Sequence, residues 1–181
     1  MIKRTKIYYL ITLFIIYGCA GTTGSIHDIS PTAKNINLCT RYKNLEIIPE
    51  KDDSIFMQDH EIQRIINLVI HKIKTKNASC FQKIFTDGSN SIDTDDTLLV
   101  RVRFTRYEKG NAFARFMLAG LGQMHIDAMV TLINKDNNNI LGKYKVTKTF
   151  AWGGIYGGSR GIEDIEPAFA EAVANTILKE D

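Results

Sequence analysis

No stretch of this chain stays apolar for the roughly 20 residues that a helix needs to cross a bilayer; the run Ile7–Tyr17 is too short. Histidine is scarce, with four in 181 residues. His60 and His71 fall on one helical stretch about 16 Å apart by helix rise, too far to share a metal. Glycine is present in two clusters, but neither carries the Gly-Lys-Ser/Thr of a P-loop, and Gly120-Leu-Gly122 lacks the third glycine of a dinucleotide motif. These gaps argue against a nucleotide cradle, and no catalytic residue, metal site or cofactor is expected. Net charge is also missing. Setting aside Lys3, Arg4 and Lys6 leaves 20 basic and 20 acidic residues, so no global field draws the chain to nucleic acid. Internal repeats are absent. Hydrophobic content of 44% and charged content of 24% are those of an ordinary globular protein, and the length fits one domain.

The first residues read as an address. Met1–Lys6 is basic, Ile7–Tyr17 is apolar, and Gly18-Cys19 follows, the succession of a secretory signal peptide. A short uncleaved anchor is the alternative. Residues 1–18 are expected as the signal peptide, with cleavage between Gly18 and Cys19. Residues 19–37 then form an N-terminus and tether; Ala20–Asn37 is small, polar and poorly periodic. A flexible tether of that length would hold the domain roughly 20–25 Å from its attachment point. Residues 38–181 are the single domain.

Period-two patterning dominates the rest. In Met124–Ile133, Met124, Ile126, Ala128, Val130 and Leu132 share one face, with His125, Asp127 and Thr131 on the other. Asn134–Asn139 is a run of turn formers, and Leu141–Phe150 returns as a strand. Thr97–Tyr107 alternates in the same way, and Leu45–Pro49 and Ser79–Phe85 read as shorter strands. Ile62, Ile65, Ile66, Val69, Ile70 and Ile73 form an aliphatic helical stripe, with Asp59 placed to cap it. A last helix spans about Asp164–Glu180. The spacing predicts an α/β (α+β) fold: a single mixed sheet of about five strands, order β-α-β-β-β-β-α, with two helices packed on one face.

Two apolar, glycine-bearing loops flank the central hairpin. One is Asn111–Gln123 and the other Trp152–Gly161. A loop needing only flexibility would be polar, so these side chains must be buried in the domain, in lipid or in a partner. The candidate binding edge comprises Phe113, Arg115, Phe116, Gly120, Gly122, Trp152, Gly153, Gly154, Tyr156, Gly157 and Gly158. The bland alternative is that Trp152 simply plugs the core.

Ile16-Tyr17-Gly18-Cys19 resembles the lipobox of bacterial lipoproteins, in which the cysteine carries acyl chains such as palmitate. The resemblance implies lipidation at Cys19, and Ala20 after the cysteine implies outer-membrane sorting. From Thr97 to Lys179 the chain resembles the bacterial lipoprotein family known as domain of unknown function 4410. The matching pieces are Val100–Gly110, Ala114-Arg115, Ala119–Gly122, Ile126–Leu132, Leu141-Gly142-Lys143, Gly153-Gly154 and Gly157-Gly158. The family implies a small periplasmic α/β domain and assigns no catalytic residue. The expectation is a lipid-anchored envelope module, facing the periplasm, that binds a protein of the cell envelope through its glycine-rich edge. A small-molecule or lipid-binding module is the alternative, and a hydrolase using His125 and Asp127 a third. Nucleic acid is not an expected partner, and the oligomeric state is open.

Cys39 and Cys80 remain after Cys19. In an oxidising compartment they are either bridged or two separate buried thiols. His125 and Asp127 share a strand face but no motif ties a nucleophile to them. Arg101 and Arg103 share a face in the same way and could meet an anion.

Overall fold

The computed structural model describes residues 22–30, 37–86, 96–118 and 121–178. Gly18, Cys19 and Gly120 lie outside the described residues. The strands are β1 (Thr22–Ser30), β2 (Asn44–Lys51), β3 (Lys83–Thr86), β4 (Thr97–Glu108), β5 (Met124–Asn134) and β6 (Ile140–Phe150). The helices are α1 (Leu38–Arg41), α2 (Asp59–Lys76), α3 (Ala112–Met117), α4 (Gly154–Gly158) and α5 (Glu166–Leu178), with a 3₁₀ turn at Ile162–Asp164.

Alternation builds the centre of the sheet. Met124, Ile126, Ala128, Val130 and Leu132 of β5 are fully buried, whereas His125, Asp127, Met129 and Thr131 are half-buried on the opposite face. β6 returns antiparallel with Val146 opposite Ala128, and β4 flanks β5 on the other side with Val102 opposite Val130. β2 pairs parallel with both β3 and β4. Parallel neighbours need a crossover connection, which α2 supplies between β2 and β3.

One face of the sheet is covered by α2 and α5, which also pack on each other. Ile65, Ile66, Val69 and Ile73 of α2 meet Phe169, Val173 and Ile177 of α5 in one core. Each fully buried aliphatic side chain contributes about 1.5–3 kcal/mol. Ala170 and Ala174, also fully buried, let α5 approach closely, and Phe169 tilts against Phe104 of β4 at 6.0 Å between ring centres. The cap of α2 is Gln58, not Asp59: Asp59 is the first helical residue, and the Glu61 carboxylate accepts from the Gln58 N–H at 2.9 Å.

The sheet has six strands, in the order β1-β6-β5-β4-β2-β3. The extra one is β1, and it corrects the tether. Thr22–Ser30 is not a free linker but an edge strand laddered antiparallel to β6. Its sequence, Thr-Thr-Gly-Ser-Ile-His-Asp-Ile-Ser, gives little hydrophobic alternation because an edge strand is held chiefly by backbone hydrogen bonds. Ser25 Oγ adds a 2.8 Å bond to Thr147 Oγ1.

The two ends of this sheet differ. At one end, Thr22 lies opposite Phe150, Phe150 opposite Met124, and His125 opposite Glu108. α3, between β4 and β5, and α4, after β6, belong to this glycine end. The turn end holds the Asn134–Asn139 connection and a disulfide. Cys39 in α1 and Cys80 just before β3 are bonded, with Cα atoms 4.5 Å apart.

Candidate functional site

The glycine end is organised by a buried cation. Arg115 lies in α3 and is 2% exposed. Its Nε donates to Gly157 O at 2.9 Å, Nη1 to Gly122 O at 2.7 Å and Lys109 O at 3.4 Å, and Nη2 to Arg160 O at 2.8 Å. Every bond ends on a main-chain carbonyl, and among the described residues no acidic side chain pairs with it. Burial pushes its pKa down from the usual arginine range, though a guanidinium stays protonated in proteins. One side chain thus joins the loop before β5 to the loop after β6.

Glycine is required where those loops close. Gly122 has φ +70°, and a Cβ there would collide with Asn111 O; the Asn111 N–H donates to Gly122 O at 3.1 Å. A Cβ at Gly157 would collide with Trp152 O. Gly158 backs onto the Cβ of Phe116, so α3 and α4 touch through small residues. The two glycine clusters therefore meet in space.

With the backbone fixed from inside, the large side chains point out. Phe113 is 72% exposed and Ile155 80%, and Phe116, Met117, Leu118, Leu121 and Tyr156 are also exposed. Trp152 behaves differently. It is half-buried, stacks on Phe150 at 6.4 Å between ring centres and tilts against Tyr156 at 5.0 Å. Its Nε1 is buried with no hydrogen-bond partner among the described residues. Arg160 lies over the Tyr156 ring at 4.5 Å and pairs with Asp164 at 3.0 Å. A cavity of about 130 Å³ opens between Lys148, Phe150, Tyr156, Arg160 and Asp164.

Behind the glycine end is a polar knot absent from the sequence reading. Glu61 and Glu166 are both buried. Arg64 forks onto Glu166 at 2.6 and 2.7 Å, Lys109 reaches Glu61 at 2.6 Å, and the Tyr107 hydroxyl donates to Glu166 at 3.0 Å. Burial alone would raise the Glu61 pKa, but the bonds from the Gln58 N–H and Lys109 outweigh it and hold the carboxyl below its ordinary value. The hydrogen bond to Glu166 raises the Arg64 pKa, and burial followed by Glu166 raises that of Tyr107. Charges so fully paired act as a brace between α2, α5 and the end of β4.

Residues 40–154 match the family model described as Domain of unknown function (DUF4410). The chain belongs to the DUF4410 family. The matched span begins earlier and ends earlier than the Thr97–Lys179 resemblance, and it takes in β2 to β6, α2, α3 and Trp152 to Gly154 while leaving out β1 and α5. No curated protein matches the chain in sequence. Among solved structures, a leucine-to-methionine variant of PelC from Paraburkholderia phytofirmans, a dodecamer, superposes with a TM-score of 0.56 at 10% identity, covering 88% of this chain and 100% of that one. A second PelC dodecamer from the same organism gives 0.54 at 11% identity, covering 84% and 96%. A Xanthomonas campestris protein of the DUF330 type gives 0.43 at 10% identity, covering 76% and 80%. The PelC likeness establishes a shared fold.

The remaining candidates in this DUF4410 chain are weaker. His125 Nδ1 bonds Thr149 Oγ1 at 3.0 Å. Burial, then Arg106, lowers the His125 pKa, and burial raises that of Asp127. Arg101 is paired with Glu50 at 2.9 Å, Arg103 with Asp52, and Arg106 with Glu108 at 2.8 Å, so the basic row on β4 is neutralised on the surface. Among the described residues no three metal-ligating side chains cluster.

Proposed function

We propose that this chain is a lipid-anchored module of the outer membrane, facing the periplasm, that works by binding another component of the envelope rather than by catalysis. The observation that carries the reading is the glycine end, where Phe113 and Ile155 face outward on a backbone held by buried Arg115. Exposed apolar groups in one contiguous patch mark interaction surfaces. The Gly18-Cys19 succession supports acylation, and its resemblance to the lipobox of bacterial lipoproteins supports the envelope setting. The cavity of about 130 Å³ at the glycine end is small beside the ~300–1,000 Å³ of ligand pockets, which at that end favours a surface over a small-molecule site.

The test is made in cells. Cys19→Ala should abolish acyl labelling and release the domain from the membrane fraction. A photo-cross-linking residue at Phe113 or Ile155 should give adducts, and one at Asn137 of the turn end should not. Equal yields at all three positions, or none at any, would overturn the binding surface.

Self-association is a second reading with its own observation. β1 has one sheet neighbour among the described residues and exposes Ile26 and Ile29, and the PelC structures of similar fold are dodecamers. Light scattering on the purified chain, with Ile26→Lys and Ile29→Lys as the disrupting pair, decides it: a monomeric mass for the unmutated chain rules self-association out.

A further inference from the structure

The register of the sheet brings the anchor and the exposed patch together. β1 starts at Thr22, opposite Phe150, and Phe150 stacks on Trp152, just before α4. Cys19 precedes Thr22 by three residues, a span of roughly 10 Å when fully extended. The pairing of β1 with β6 runs from Thr22 to Ser30, so the strand orients the sheet relative to its own N-terminus. Whatever holds Cys19 therefore lies within about 10 Å of the start of β1, at the end of the sheet from which Phe113, Phe116, Met117, Leu118, Leu121 and Ile155 project.

The composition of the two loops is compatible with that placement. No acidic residue occurs between Lys109 and Asp127 or between Phe150 and Glu163. Those two segments are the whole of the α3 and α4 loops. At the opposite end of the sheet, the Asn134–Asn139 turn carries Asp136. A protein-binding face has no general reason to exclude carboxylates, whereas a surface against a bilayer does, because charged groups are costly in hydrocarbon and anionic headgroups repel them. The outward aliphatic and aromatic side chains match the apolar half of that requirement.

We propose that the glycine end is a membrane-insertion surface: α3 and α4 seat their apolar side chains in the same leaflet that holds the acyl chains of Cys19. The inference rests on the anchoring reading and names the envelope component bound. It gives Arg115 a purpose, since its carbonyl bonds hold two loops rigid without using their apolar side chains for packing.

The test uses the full acylated chain reconstituted into vesicles of phosphatidylethanolamine and phosphatidylglycerol. An environment-sensitive fluorophore is attached through Phe113→Cys, Ile155→Cys or, as the control, Asn137→Cys. All three positions are exposed, so the fold is kept. The expected result is blue-shifted emission at 113 and 155 that is quenched by nitroxide-labelled acyl chains, with neither effect at 137. Vesicle-bound protein with no quenching at 113 or 155 would overturn insertion while leaving anchoring intact. A blue shift without quenching would mean that protein covers the patch and would overturn it as well. Acylated chain that fails to float with the vesicles would refute the anchoring reading and insertion with it.

Discussion

The two ends of the sheet solve the same problem by different means. At the turn end, a covalent bond between Cys39 and Cys80 ties α1 to the approach to β3, and the Asn134–Asn139 connection is polar. At the glycine end, the tie is a single guanidinium reaching carbonyls of residues 109, 122, 157 and 160. The difference shows what each kind of link leaves available. Cross-linking through main-chain carbonyls fixes loop backbone and spends one side chain, so the neighbouring apolar side chains need not pack inward. The loops are rigid and still present hydrocarbon to the outside.

The largest expected effect comes from cutting the tie at the glycine end. Arg115→Ala leaves the buried Gly157 carbonyl and three partly buried ones without a donor, at about 1–3 kcal/mol for each that stays dry, so chemical denaturation should show a loss of about 4 kcal/mol. Arg115→Lys should rescue little of it, because an ammonium cannot reproduce the fork. A loss below about 1 kcal/mol would mean that Arg115 is not the organiser.

Next is the turn end. Cys80→Ser opens a link between residues 41 apart in sequence and should cost about 2–4 kcal/mol. Reduction by dithiothreitol should reproduce that loss in the unmutated chain and leave the Cys80→Ser chain unchanged. If the fluorescence of Trp152 in the folded state changes on reduction, the two ends are coupled and the contrast drawn between them is wrong.

A smaller effect tests the polar knot. Because the Glu61 pKa is held below its ordinary value, its contribution is fully present above the unfolded carboxylate value of about 4.3 and is lost as pH falls through the folded value. The stability gap between the unmutated chain and Glu61→Gln should therefore be widest near neutral pH and narrow on acidification below about pH 4. A gap independent of pH would remove the charge from the explanation.

The smallest effect on stability is expected at the outward face. Phe113→Ser and Ile155→Ser should each change unfolding free energy by less than about 0.5 kcal/mol, since neither side chain is buried. Their membrane association should nonetheless fall. Destabilisation as large as that of Arg115→Ala would show that the patch is core, and the distinction between the tie and the surface it supports would disappear.

Much of the fold was legible because its signals are periodic. The alternation of Met124 to Leu132 and the aliphatic stripe of Ile62 to Ile73 report burial directly, and both segments have the expected form. The glycine clusters also predicted their own meeting. What escaped was anything held by main-chain bonds or by single long-range contacts. β1 pairs through its backbone, so its polar residues looked like linker. Arg115 was expected in the binding edge rather than beneath it, because two of its four partners lie 42 and 45 residues away. Glu61 and Glu166 carry no local signal of their pairing, since their shared partner Tyr107 comes from β4. Trp152 fell between the alternatives: it is neither a free anchor nor a full core plug.

The place of β1 also sets an order of events. Ser25 bonds Thr147 across 122 residues, and β1 finds its sheet neighbour only in β6, the last of the described strands in the chain. Pairings so distant in sequence close late and slow folding, because the loop entropy is lost before the contact is gained. β1 must therefore stay unpaired until β6 has been made.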